Sequence, residues 1–202
     1  MSALLPLFPL DAVLLPGTPI PLHVFEPRYK EMIGECLNRK SAFGIVRAKE
    51  NGIAEIGCTA EIMEVTKHYD DGRMDILCEG RRRFEVMGVN EERAFLQAEV
   101  SYFDDEPGRA PADTIDEALR LYGDLVELAE AEAELPEASV PQFSFHLAAP
   151  MPLDLDFKQT LLGMRSERER IAAIVAYFQA LLPRMRRVVK ARQKAGGNGH
   201  AI

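Results

Sequence analysis

Residues 57–89 read GCTAEIMEVTKHY (57–69), DDG (70–72) and RMDILCEGRRRFEVMGV (73–89), and this stretch decides the fold. Two runs rich in β-branched and alternating apolar residues flank Asp70-Asp71-Gly72, a strong hairpin turn signal. In the second run Met74, Ile76, Cys78, Phe84 and Val86 share even parity, while Arg73, Asp75, Glu79, Arg81, Arg83 and Glu85 share odd parity. Successive side chains of a strand point to opposite faces, so the even residues are expected on the core face. Unbroken parity puts Arg82 on that face, whereas a bulge at Gly80 would break it.

Working outward, the strand pattern runs from Ala42 to Phe103, with AFGIV before the hairpin and FLQAEVSYF after it. Residues 1–25 are apolar and interrupted by prolines, which suits short extended segments at sheet edges. Between them, Tyr29, Met32, Ile33, Cys36 and Leu37 recur at i, i+3, i+4, i+7 and i+8, one helix stripe. Pro27 suits its first turn and Glu26 its positive end. After the Pro/Gly/Asp-rich stretch 104–113 the period turns helical. Thr114 and Glu117 form a capping-box pattern, as do Ser166 and Glu169. QFSFHLA and DFKQTLLGM read as two shorter helices, the latter with Asp154 or Asp156 as its cap. The expected class is α+β. Residues 1–103 form a barrel-like β unit with one helix, 104–113 a linker, 114–183 a helical unit, and 184–202 a basic tail that is partly disordered.

Composition narrows function. The chain has 202 residues, 47% hydrophobic and 28% charged, and a formal net charge of -8. That balance fits a folded core and disfavours a dedicated nucleic-acid binder. No apolar run reaches the ~18 residues of a membrane span, and the start lacks the basic region of a signal peptide. Cys36, Cys58 and Cys78 show no CxxC spacing, so neither a metal cluster nor a disulfide framework is expected, and a cytoplasmic location fits. His23, His68, His146 and His200 are scattered. No Walker A loop, GxGxxG, HExxH or GxSxG motif is present. No catalytic, cofactor-binding or metal-binding set is expected.

Three stretches together carry a resemblance: PLFPLDAVLLPGTPIPLHVFEPRYKEMI (6–33), IGCTAEIMEV (56–65) and DGRMDILCEGRRRFEV (71–86). With the KQTLL segment at 158–162 and the RIAAI helix after it, the chain resembles, over roughly residues 4–183, the N-terminal substrate-binding domain of the ATP-dependent protease Lon in a stand-alone form. The resemblance implies a PUA-like pseudo-barrel followed by a helical bundle. It also implies a non-catalytic role in holding unfolded or extended polypeptide, as an adaptor or holdase, with a protease or chaperone as a further partner. The ATPase and Ser-Lys peptidase modules that follow this domain in the protease are not expected here, so the chain is not expected to be an enzyme.

Candidate binding residues fall in three places. In the first, Glu26 and Arg28 could meet polar groups of a peptide, and Phe25 and Tyr29 an apolar side chain; the plainer alternative is that they start and seat a helix. The second is the run Arg81-Arg82-Arg83. A buried Arg82 needs a partner, because an unpaired buried charge costs several kcal/mol, and Glu26 is the expected one. Arg81 and Arg83 are expected to point outward, to an acidic ligand or to solvent. The third is 184–194, RMRRVVKARQK, basic and without an acid. It supports an alternative reading, RNA or DNA association, against the plainer ones of a solvated helix extension or neutralisation by the acidic stretch 124–137. The proline-rich strands are also expected to leave a sheet edge open to an added peptide strand.

Overall fold

The computed structural model describes residues 4–132 and 134–196. The chain divides into two units. One comprises the residues up to Asp105 together with Pro152–Arg165; the other comprises Glu106–Met151 and the chain from Ser166 onward.

The first unit is built on a six-stranded sheet. β1 (Leu5–Leu10), β3 (Phe43–Lys49), β4 (Gly52–His68), β5 (Met74–Asn90) and β6 (Gln97–Phe103) pair in a ring, because β6 bonds both β1 and the second half of β5. β1 and β3 run parallel and the other pairs antiparallel. β2 (Pro19–Val24) extends the sheet from the first half of β5, opposite Met74–Glu79. Leu5, Leu7, Val46, Phe84 and Ala98 fill the interior, with Ile53, Val86, Leu96 and Val100 packed around them. Gly57 leaves the room that the Phe84 ring occupies, since a Cβ there would fall 2.5 Å from its tip. Fully burying one such side chain is worth roughly 1.5–3 kcal/mol.

The expected hairpin forms. Gly72 takes φ +80°, and Tyr69 and Arg73 close the turn with a 3.0 Å backbone bond. The expected stripe of α1 (Pro27–Arg39) buries Tyr29, Met32, Ile33 and Cys36. α4 (Leu155–Gly163) joins this unit, whereas the sequence pattern groups it with the other helices. Gln159 donates to the Ile56 carbonyl, Arg47 to Asp156, and Leu161 and Leu162 are buried.

The second unit is helical. α2 (Ala112–Leu128) buries Ala118, Leu121, Tyr122 and Leu125. α5 (Glu167–Gly196) buries Ile171, Ile174, Val175, Phe178 and Leu182, and α3 (Phe143–Ala148) buries both its phenylalanines. Ser166 caps α5 through the Glu169 N–H at 3.3 Å. The Thr114–Glu117 box does not start α2. Pro111 holds the cap position, and the Thr114 hydroxyl turns to Asp113. The basic stretch 184–194 lies within α5, and the part of the expected disorder that falls on 197–202 lies outside the described residues.

Candidate functional site

Pro27 opens α1 with the one residue that needs no N–H partner there, and Glu26 precedes it in extended geometry. The Glu26 carbonyl accepts the Tyr29 and Lys30 N–H groups. Its carboxylate accepts the Arg28 Nε at 2.9 Å, and the Arg28 guanidinium lies 4.6 Å over the Tyr29 ring. Tyr29 is buried and stacks on Phe8 at 4.1 Å, and burial raises its phenol pKa. This turn borders a cleft of about 570 Å³. Pro9, Ala48, Gly52, Ile53, Glu91, Arg93, Phe95 and Leu96 form its remaining walls, from the end of β1, the β3–β4 turn and the loop before β6. Arg93 reaches from that loop to Glu31 (2.6 Å) and Glu35 on α1 while covering the Phe95 ring. Its hydrogen bond holds the Glu35 carboxyl below the usual carboxylate range. The cleft therefore has a mixed lining, in which Pro9, Ile53 and Leu96 are aliphatic, Glu91 is exposed, and the two arginines are already neutralised.

Phe25, just before α1, is 57% exposed. The His23 ring stacks beside it at 5.8 Å and meets Tyr69 edge-on at 5.7 Å. Asp75 joins these two, accepting from the Tyr69 hydroxyl at 2.9 Å and contacting His23 Nδ1 at 2.5 Å. Those bonds, His23 first, lower the Asp75 pKa. Lys67 and Arg73 cover the Tyr69 ring. β2 forms an open sheet edge here, but a blunted one. A proline fits a ladder only where its nitrogen faces away from the partner strand. Pro19 and Pro21 share one parity, so the outward row of β2 lacks two of its donors and makes a poor template for an added strand.

The arginine run is arranged differently from the sequence expectation. Cys58 pairs with Arg83 and Ala60 with Gly80, so Arg81 and Arg82 together oppose Thr59 alone. Thr59 Oγ1 accepts the extra N–H, that of Arg82, at 2.9 Å. This inserted residue breaks the parity. Arg82 is exposed, over Tyr102 and 3.9 Å from Asp104, and makes no pair with Glu26, whose partner is Arg28. Arg83 is the buried one, at 2% exposure. It donates to the carbonyls of Leu162 and Met164, pairs with Asp105 and lies over Phe103. It is a tether for the end of α4 rather than a ligand contact. Arg81 is exposed and held by Glu61 and Glu79. The bulge sits beside Gly80 because the 15–18 turn abuts the strand there. Gly80 exchanges backbone bonds with Gly17 and Thr18, and a Cβ on it would overlap the Leu15 carbonyl oxygen.

The three thiols are buried, and burial pushes those of Cys58 and Cys78 up to about 12, far from the thiolate a nucleophile needs. Among the described residues no three His, Cys, Asp or Glu side chains converge as a metal site requires, and no helix is long and apolar enough to cross a membrane. The structure brings Arg28 and Tyr29 to one cleft and leaves Phe25 exposed just before the same helix. Sequence reading missed Arg93, Phe95 and Leu96 in the cleft, and the His23–Tyr69–Asp75 group. The acidic i, i+4 pair Glu31 and Glu35 on the outer side of α1 was the one available hint of a basic partner.

The described residues thus form a closed small sheet with α1 and α4 in its unit, and a second, helical unit. Comparison with known proteins places the chain. Residues 4–179 match the family described as the ATP-dependent protease La (LON) substrate-binding domain. The chain belongs to that family. It is 24% identical over 181 residues to Lon protease 1 of Hydrogenovibrio crunogenus, covering 82% of this chain and 22% of that protein. Against the Lon protease of Buchnera aphidicola it is 26% identical, covering 87% of this chain and 25% of that one. The chain thus spans about a quarter of the length of these relatives. Among solved structures it resembles a Lon N-terminal domain protein from Xanthomonas campestris, with TM-score 0.71, 28% identity, and 87% of this chain and 98% of that one covered. The N-terminal domain of a Mycobacterium avium complex Lon protease shares the fold, with TM-score 0.67, 16% identity, and coverage of 88% and 98%.

Proposed function

We infer that the chain holds extended, unfolded polypeptide without chemistry of its own, as an adaptor or holdase. The observation that carries this reading is the match of residues 4–179 to a substrate-binding family. The cleft beside the start of α1 supports it. An aromatic or aliphatic side chain of the bound segment fits between Pro9, Ile53 and Leu96, and Phe25 supplies a second apolar contact. The lining arginines each have a carboxylate already, so recognition rests on apolar side chains and tolerates varied sequences. The blunted edge of β2 favours such side-chain capture over strand addition. Affinity is expected to be modest, because the segment loses conformational freedom on ordering.

The test is titration of a fluorescent unfolded protein against wild type, Phe25→Ala, Ile53→Arg and Arg81→Ala, with melting checked for each. Weaker binding by the first two and unchanged binding by the third is expected. Equal binding by wild type and all three folded variants would overturn the assignment of the site.

A further inference from the structure

The second unit carries a surface that polypeptide capture at α1 does not use. α2 covers the apolar stripe of α5 only as far as Leu128, where Ala129 caps it, whereas α5 continues to Gly196. Beside that end of α2, Leu181, Met185, Val188 and Val189 recur at helical spacing on α5, and with Leu128, Ala129, Glu130 and Arg184 they line a groove of about 580 Å³. Val188 is 52% exposed.

The two sides of this stripe differ in charge. Toward α2, Arg186 approaches Asp124 at 3.8 Å, and Glu127 and Glu130 stand close by. On the other side Arg184 and Arg187, one turn apart, have no carboxylate partner among the described residues; Arg187 donates only to the Pro183 carbonyl at 3.3 Å. An apolar row with one unneutralised basic flank is the complement of an amphipathic helix with one acidic flank.

We propose that the α5 groove docks an amphipathic helix of a partner protein, one whose apolar row packs on Met185 and Val188 and whose acidic flank faces Arg184 and Arg187. That helix lies along α5 beside the end of α2. Nucleic acid fits less well, because phosphates would use the arginines and leave the apolar floor uncovered. The proposal is independent of the cleft at α1.

The probes are two synthetic peptides of about twenty residues, long enough for five helical turns. Both carry leucines at i, i+4, i+7 and i+11, one with glutamates along one flank and the other with lysines there. Binding to the full chain is followed by fluorescence anisotropy. The acidic peptide should bind about tenfold tighter than the basic one, the size expected for two partly exposed charge pairs. Exchanging charge with Arg184→Glu and Arg187→Glu should invert that preference. Val188→Asp, at an exposed position that leaves melting unchanged, should weaken both peptides, while Arg81→Ala leaves both unaffected. Three results would overturn the proposal. The first is equal affinity for both peptides in wild type. The second is preferential binding of a single-stranded oligonucleotide that Val188→Asp does not touch. The third is self-association of the chain that Val188→Asp abolishes, which would make a second copy the occupant.

Discussion

Arg83 in the sheet unit and Arg170 in the helical unit solve one problem in two ways. Both are almost wholly buried, at 2% and 0% exposure, and each lies over an aromatic ring, Phe103 at 4.7 Å and Phe145 at 4.3 Å. Each meets a carboxylate, as a buried cation must if it is not to cost more than it returns. The difference is reach. Arg170 meets Glu167 three residues earlier on the same helix, and Ser144 of α3. Arg83 meets Asp105 and the carbonyls of Leu162 and Met164, the last 81 residues away. Arg170 has its carboxylate on its own helix, which forms anyway. A distantly paired arginine decides which segments come together, and here it holds the end of α4 against the sheet unit.

That contrast is sharpest in mutants. Arg83→Met should cost about 3–5 kcal/mol in urea unfolding, because Asp105 loses its buried counter-ion and two carbonyls lose a donor. Residues 152–165 should become sensitive to proteases in the same variant. A loss under about 1 kcal/mol would mean that α4 is held by its apolar contacts alone.

Arg170→Ala should cost less, about 2–3 kcal/mol, because the Glu167 carboxylate keeps both the Ser144 N–H at 2.8 Å and its hydroxyl at 2.7 Å. An Arg170 loss larger than that of Arg83 would reverse the ranking of local and distant pairing.

Exposed pairs should act more gently and show a pH signature. Glu35 and Asp75 both have folded pKa values below the ordinary carboxylate range, through Arg93 and through His23 and Tyr69 respectively. A lowered folded value means that their contribution is fully present above the ordinary range and is lost as pH falls through the folded value. Stability should therefore decline on acidification from about pH 5 downward. Arg93→Ala should flatten the Glu35 part of that decline and His23→Ala the Asp75 part. An unchanged acid limb in both variants would remove these pairs from the account. Smallest of all, Arg82→Ala should stay within about 0.5 kcal/mol of wild type, as exposed surface substitutions do. A loss several times larger would put Arg82 back inside.

Much of the frame is legible in local pattern. The turn at Asp70–Gly72 and the buried stripe of α1 follow from residues within one or two turns of each other. The four later helices follow similarly, though α2 shows the limit of a short motif, since Thr114 bonds Asp113 instead of capping. Of the proposed site, Phe25, Arg28 and Tyr29 could be named from the start of α1. Arg93, Phe95 and Leu96 could not, because a loop between two strands carries no periodicity that aims it. The arginine run misleads for a definite reason. One inserted residue opposite Thr59 reverses the faces of the residues that follow it as far as Val86, and nothing in the run itself says whether Arg81, Arg82 or Arg83 is the one turned inward.

By itself, then, the sequence determined which segments become strands and helices, where the hairpin turns, and the family, since these depend on side-chain spacing and turn chemistry along the chain. Only the tertiary structure decided that β1 runs parallel to β3, that β2 pairs with β5, that α4 joins the sheet unit and that Arg83 is the buried cation. Each of these is a choice among distant partners. The free energy of that choice lies in desolvation and in hydrogen bonds between groups tens of residues apart, and no local pattern records it.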